Sequence, residues 1–158
     1  MATEVTVGVA QPASAWTPAR IFMVVSAAFH LPVAMVGLAI DRTFPLGASA
    51  VTRAGSEHVF GVLETNGWHS LAALLVGVVS LYFAVGPERA REAALAIGIG
   101  HVFVVLALTF WEPSTFWLMS NGADQVVHAT TAIVGTGSAL LTRPLRSPAS
   151  ADPNPSSR

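Results

Sequence analysis

Residues 18–40 of this chain read PARIFMVVSAAFHLPVAMVGLAI, and this stretch decides the fold. It contains no permanently charged side chain after Arg20. An apolar run of about 20 residues is long enough to cross the ~30 Å hydrocarbon core of a bilayer as a helix. Because backbone groups in lipid must be satisfied within their own segment, the run predicts a transmembrane α-helix.

Three later stretches have the same character, at about residues 68–85, 89–111 and 124–141. Hydrophobic residues make up 53% of the chain and charged residues only 11%, against about 25% charged residues in a typical soluble domain. The sequence therefore predicts an all-α fold, a four-helix transmembrane bundle that forms one domain over residues 18–141.

The chain has no cysteine and a formal net charge of −1. Disulfides, thiolate nucleophiles, iron–sulfur clusters and cysteine zinc sites are thereby excluded. The near-neutral charge argues against nucleic acid as a partner. No nucleophile elbow, phosphate-binding glycine loop or paired carboxylate site is recognisable, so the sequence favours a protein that is not an enzyme.

Basic residues are distributed unevenly about the four segments. Arg42 and Arg53 lie on one side, and five arginines lie on the other: Arg20, Arg89, Arg91, Arg143 and Arg146. The positive-inside rule then predicts a multi-pass plasma-membrane protein with both termini in the cytoplasm. Residues 1–17 are expected to be a flexible cytoplasmic N-terminus without signal-peptide features, and residues 142–158 a disordered cytoplasmic tail.

Two features are expected outside the four segments. The loop before the second segment mixes apolar and charged residues between Val59 and Glu64, which predicts a short amphipathic helix at the membrane surface. Aromatic residues crowd the end of the third segment and predict an interfacial belt: Trp111, Phe116 and Trp117.

An internal repeat divides the chain into two membrane hairpins. Residues 19–20, 30 and 41 recur in kind at an offset of 71, as Ala90-Arg91, His101 and Glu112. The pair Asn66-Gly67 recurs as Asn121-Gly122. A fixed period indicates a structural repeat, so segments one and two are expected to pair, as are segments three and four.

Each segment has one face of small residues, which lets membrane helices approach closely. These residues are Ala27, Ala34 and Gly37; Ala73 and Gly77; Ala94 and Gly98; and Thr131, Gly135 and Ala139. The small faces are predicted to meet inside the bundle. The same signal would also serve a homo-oligomer or a membrane-complex partner, while the bulky faces contact membrane lipids.

His30 and His101 are the sharpest candidate site residues. Each lies ten residues after its arginine, Arg20 or Arg91, so both fall near the bilayer midplane on small-residue faces. Ionisable groups at this depth mark functional sites by default. The pair could hold a b-type haem, pass protons or bind another ligand. The alternative is that neutral imidazoles hydrogen-bond within the bundle.

A second polar set lies at the outer ends of segments two and four: Asn66, His69, Asn121, Asp124 and His128. The two asparagines are predicted N-caps, and Asp124 suits the positive end of the fourth helix. Together with Glu64 the set could offer zinc ligands, but its spacing resembles no zinc motif, and no metal is predicted.

The stretches GVLETNGWHSL at 61–71 and NGADQVVH at 121–128 carry a resemblance. They resemble an uncharacterised, mainly actinobacterial family of four-helix membrane proteins, domain of unknown function 4383, over residues 20–141. The resemblance implies fold and membrane location but no activity. A second histidine usual in the first signature is replaced by Ala73, and Ser70 and Gln125 stand where asparagine is usual.

Three hypotheses about function remain open on these residues. The first is a structural or accessory component of the membrane, without a cofactor. The second is a redox protein with one haem held by His30 and His101. The third is a small transporter or proton pathway that runs past the midplane histidines to Asp124 and His128.

Overall fold

A computed structural model of the chain describes residues 16–46, 57–110 and 120–142. The elements are α1 (Pro18–Ile40), β1 (His58–Val59), β2 (Leu63–Glu64), α2 (Gly67–Phe83), α3 (Pro87–Phe110) and α4 (Gly122–Leu141). The described part is therefore all-α apart from one short hairpin, and its helices begin and end within two residues of the predicted segments. The predictions for Arg53, the aromatic belt, Glu112 and the two tails, apart from residues 16, 17 and 142, lie outside the described residues.

The helices begin where the sequence supplies a cap. The side chain of Thr17 accepts a hydrogen bond from the Arg20 amide, and Pro18 occupies the first turn of α1. Proline suits that turn because its missing N–H would have no partner in the helix. Asn66 caps α2 through the amide of His69, and Asn121 caps α4 through two amides. These bonds satisfy amides that the helix itself leaves free.

The helices pack as two pairs, α1 with α2 and α3 with α4, and α1 also packs on α3 and α4. Close approach within the pairs depends on glycine. A Cβ at Gly77 would lie 2.8 Å from two side-chain atoms of Leu31, and one at Gly98 would lie 2.5 Å from the backbone nitrogen of Thr136. All ten of the predicted small-face residues are buried.

Equivalent arginines close the two pairs at one end of the bundle, which we call the arginine end. The Nε of Arg20 donates to the carbonyl of Ala84, beyond the last turn of α2. The Nε of Arg91 donates to the carbonyl of Thr142, beyond the last turn of α4. Cations suit helix C-termini, where unpaired carbonyls carry partial negative charge. The Thr142 hydroxyl accepts from the Ala19 amide at 3.0 Å and so joins the pairs.

The segment predicted as an amphipathic helix is instead a β-hairpin, and that prediction was wrong. His58 pairs with Glu64, and Val59 with Leu63. Phe60 and Gly61 both have positive φ, at 51° and 74°, the backbone shape of the turns that favour hairpins. Val59 and Leu63 are buried while Phe60 and Val62 are exposed. We call this end of the bundle the hairpin end.

Apolar side chains form two clusters, one near each end. At the arginine end nine buried residues pack together, six of them alanines, with Phe22, Met23 and Ile97 as the large members. At the hairpin end Val33, Val59 and Leu63 pack with two alanines. Polar side chains lie between the two clusters, in the middle of the bundle.

Two helices in the described part are long and apolar enough to cross a membrane, α1 and α3. Within an 18-residue apolar stretch of each helix, 44% is buried inside the protein for α1 and 22% for α3, so much of each stretch faces outward. α2 is a shorter apolar helix of 17 residues. The observed fold is thus four helices, two of which meet this test.

Candidate functional site

Four of the chain's five histidines form a continuous row through the bundle. The ring centroids of His30 and His101 are 5.9 Å apart, those of His101 and His128 are 5.4 Å apart, and those of His128 and His69 are 5.9 Å apart. Each of the four helices contributes one ring. The row begins near the start of α2, at the hairpin end, and reaches the middle of α1.

His30 and His101 are held in the same way. Each is buried, with 7% and 6% of its surface exposed. The Nδ1 of His30 lies 2.8 Å from the carbonyl of Ser26, and that of His101 lies 2.8 Å from the carbonyl of Ile97. Because a carbonyl only accepts, Nδ1 is the protonated nitrogen in both rings. In the neutral ring Nε2 is then the hydrogen-bond acceptor.

His128 and His69 are held differently. Their rings are stacked, with an interplanar angle of 29°. The Nδ1 atoms of both are buried and have no hydrogen-bond partner within the described residues. Buried polar atoms without a partner are costly and call for a functional or structural reason. Each of these two rings therefore has a nitrogen inside the protein without a partner among the described residues, and the ring of His128 also contacts that of His101.

Asp124 ends the row at the hairpin end. Its carboxylate, 2% exposed, accepts hydrogen bonds from the amides of Glu64 and Asn121, both at 3.0 Å. The Asn121 side-chain amide donates in turn to the carbonyl of Val62 at 2.7 Å. Asp124 therefore fixes the β-hairpin to the start of α4. It also lies close enough to His69 and to the fifth histidine, His58, for their charges to interact.

The polar row continues a short way toward the arginine end and then stops. The Ser26 hydroxyl lies 3.3 Å from the Nδ1 of His30 and 3.0 Å from the Ser80 hydroxyl. Both serines are buried. Beyond them lies the apolar cluster around Met23 and Ile97. The histidine row therefore ends among apolar side chains toward the arginine end, whereas at the hairpin end Asp124 and His69 lie beside the apolar cluster of Val33, Val59 and Leu63.

The row offers ring nitrogens that can accept protons, whereas the described residues form no shared position for a metal ion. Within the ranges that the structure describes, no three His, Asp or Glu side chains converge on a point where they could share a metal ion. Each neutral imidazole of the row instead carries one nitrogen that can accept a proton. Because the Nδ1 of His30 and of His101 is bound to a carbonyl, a proton can enter these rings only at Nε2.

The midplane pair and the outer polar set are predicted as separate groups, whereas the structure brings His101 and His128 into contact. A signal was available in the spacing. His128 lies seven residues after the cap Asn121, and His101 lies nine residues before the end of α3 at Phe110. At 1.5 Å per residue their depths differ by about 3 Å, roughly half a helical turn. His58 had no such signal, because its position depends on the unpredicted hairpin.

One of three comparisons with known proteins identifies the family of this chain. The sequence profile of one family, described as "Domain of unknown function (DUF4383)", matches residues 20–141. The match spans all four helices and all four histidines of the row. The search of curated proteins and the search of solved structures each found no match.

Proposed function

We propose that this chain, which belongs to the family of domain of unknown function 4383, is a multi-pass integral membrane protein that binds protons along its histidine row. The single observation that carries the proposal is the unbroken contact of four imidazoles, one from each helix. We propose that protons reach the row from the hairpin end, where His69 and Asp124 lie.

The outer surface of the helices supports a membrane location. In α1, every exposed residue from position 21 to 40 is apolar. The same holds for α2 from position 71 to its end, apart from the amphipathic ring of Tyr82. Soluble monomers rarely expose contiguous apolar surface of this extent. Lipid is the solvent in which such a surface is stable.

α4 fits the same location although its mean hydropathy is lower. Its polar side chains Asp124, Thr131 and Ser138 are buried, and Thr130 is its one exposed polar side chain among residues 122–141. Polar groups that face a bundle interior do not oppose insertion, because they find partners there. We therefore propose that all four helices span the membrane, with the arginine end and both termini in the cytoplasm.

The proton hypothesis accounts for more of the interior than its rivals do. A haem held by His30 and His101 would need two of the imidazoles and would leave His128 and His69 without a role. The haem hypothesis stays a prediction, which a Soret band lost in His30→Ala would support. An accessory role through the small faces also stays a prediction, but those faces are buried within the chain itself. A partner would have to bind elsewhere.

The closed arginine end sets a limit on the proposed activity. The apolar cluster around Phe22, Met23 and Ile97 separates Ser80 from the arginines. Protons that enter from the hairpin end would therefore be held at the centre of the bundle. Net transfer across the membrane would require these side chains to move apart. The proposal is thus a one-sided proton-binding path, and a transporter only if a second conformation opens the other side.

The test is nuclear magnetic resonance of histidine ¹⁵N nuclei in the protein embedded in lipid nanodiscs. We expect His30 and His101 to be protonated on Nδ1 at neutral pH. We also expect His101→Gln to change the titration of both neighbours, His30 and His128, because rings that share a proton titrate together. The matched control is Gly100→Ala on the same helix, where an added Cβ meets no atom within 4 Å. Independent titration of every histidine in both variants would contradict the proposal.

A further inference from the structure

A groove runs between α1 and α4 beside the histidine row, with a volume of about 360 Å³. This volume lies within the range of small-molecule sites, roughly 300–1,000 Å³. Its walls are apolar and include Phe22, Val25, Phe29, Val126 and Val134. Val25 and Val126 belong to the exposed outer surface, so the groove opens sideways toward the proposed lipid.

The polar lining of the groove consists of Ser26, His30, Thr130 and Thr131. Threonine in a helix commonly donates its hydroxyl to the carbonyl four residues earlier. Thr109 and Thr142 do so here, at 2.7 and 2.8 Å. The hydroxyls of Thr130 and Thr131 make no hydrogen bond to any residue that the structure describes. They are donors that remain available in an apolar groove.

His30 supplies the complementary group. Its Nδ1 donates to the carbonyl of Ser26, so its Nε2 is the acceptor left for a ligand. The groove therefore combines free hydroxyl donors with an imidazole acceptor. A carbonyl head would use only the donors. A hydroxyl head both donates and accepts, so it would satisfy the Nε2 of His30 and a threonine together.

We propose that the groove binds a membrane-dissolved molecule with an apolar chain and a hydroxyl head. The chain lies against the phenylalanines and valines, and the hydroxyl lies between His30 and the threonine pair. The inference rests on the proposed membrane location, because lipid is the phase that brings such a molecule to a sideways opening. It adds to the proton-binding proposal a ligand whose head contacts the last ring of the row.

The experiment uses the full chain in phosphatidylcholine vesicles with a photoreactive hexadecanol and its methyl ether as probes. We expect the alcohol to label peptides of α1 and α4 about fivefold more than the ether does, since the ether lacks the donated hydrogen bond, worth about 1 kcal/mol. The double variant Thr130→Val/Thr131→Val is expected to lose a similar factor. Thr109→Val, the matched change on exposed α3, is expected to leave labelling unchanged.

Two further variants make the outcome decisive. Val25→Trp changes an exposed residue at the mouth of the groove and is expected to block labelling by filling it. His101→Gln lies outside the lining and is expected to keep labelling even where it disturbs the proton titration, so the two proposals fail separately. Equal labelling by alcohol and ether, or equal labelling of all four helices, would overturn the groove as a site. A protein washed from the vesicles by alkali would overturn both proposals.

Discussion

Asp124 does two things that are seldom combined in one side chain. It completes the capping box of α4 with Asn121, and it holds the β-hairpin through the amide of Glu64. Charged acceptors form stronger hydrogen bonds than neutral ones, and here the acceptor is nearly excluded from water. The carboxylate thus sets the position of the hairpin above His69. A substitution at Asp124 should therefore affect the stability of the fold more than the properties of the histidine row.

Asp124→Ala is expected to lower the free energy of unfolding by about 2–4 kcal/mol, because it removes the charged half of the capping box and leaves the amides of Glu64 and Asn121 without their acceptor. Asp124→Asn should cost about 1 kcal/mol, since an amide oxygen still accepts but carries no charge. Thermal unfolding in detergent, followed by circular dichroism, measures both changes.

The control for Asp124 is Glu88→Ala, at the exposed start of α3, which should change the free energy of unfolding by about 0.5 kcal/mol or less. If Asp124→Ala were no more costly than this control, the hairpin would not depend on the carboxylate.

At the residue scale the sequence predicted where polar groups stand but not which of them touch. Asn66 and Asn121 are recognisable as caps because capping is local, within three residues. The contact of His101 with His128 depends on the rotation of α3 against α4. That rotation follows from the close approach at Gly98, and small-residue spacing alone does not give it.

Among the elements, α4 shows why the mean hydropathy of a helix that lines a polar interior underestimates how apolar its exposed surface is. Three of its polar side chains are buried, and Thr130 is the one polar side chain among its exposed residues, so the mean hydropathy represents neither the inner nor the outer face. α1 and α3 bury fewer polar groups and pass the same test. All four segments are recognisable in the sequence by the scarcity of charged residues, and α4 has a charge only at its first turn.

Packing of α3 on α4 leads to a prediction about Gly98. A Cβ there would meet the backbone of Thr136 and of Gly135, and backbone atoms cannot move aside as a side chain can. Gly98→Ala is therefore expected to destabilise the protein by about 1–3 kcal/mol through overpacking. The measurement is the midpoint of thermal unfolding in detergent.

Gly100→Ala is the matched control, two residues along the same helix with open space around its Cβ. It should be neutral or stabilising by up to about 1 kcal/mol, because alanine favours helix more than glycine does. Equal effects of the two substitutions would show that the α3–α4 contact is looser than described.

The composition of the hairpin segment did not predict its structure. Apolar and charged residues alternate irregularly between His58 and Glu64, and the segment has the content of an amphipathic helix. A right-handed helix is excluded there because two consecutive residues, Phe60 and Gly61, have positive φ. Glycine accepts this backbone readily, but phenylalanine rarely does, so the turn had no clear local signal.

Over the whole molecule, the two helix pairs repeat each other in detail. Arg20 and Arg91, at the offset of 71, each donate to the carbonyl that ends the partner helix. His30 and His101, at the same offset, each donate to the carbonyl four residues earlier at 2.8 Å. These equivalent bonds support the predicted duplication. The hairpin and the contact of His128 with His101 are where the halves differ.

Orientation in the membrane can be tested with single cysteines, because the natural chain contains none. Glu57→Cys, beside the hairpin, should react with a membrane-impermeant thiol reagent added to intact cells. Glu88→Cys, at the arginine end, should react only after the cells are permeabilised. Both glutamates are exposed, so access to the side chain is not limiting.

The physical reason for that orientation is the concentration of arginines on the cytoplasmic side of membrane proteins. The reverse labelling pattern would place the histidine row in contact with the cytoplasm. Reaction of both cysteines in intact cells would contradict a membrane-spanning bundle.

Thr142 gives the fold a consequence for biogenesis. Its carbonyl accepts from Arg91, and its hydroxyl accepts from the amide of Ala19, at the first turn of α1. The opening turn of the first helix is therefore completed by a residue that the ribosome adds more than a hundred positions later. During synthesis the hydrogen bond between the Ala19 amide and the Thr142 hydroxyl therefore cannot form until the last helix has been made. A truncation before Thr142 would leave the Ala19 amide, at the start of α1, and the Arg91 side chain without these acceptors.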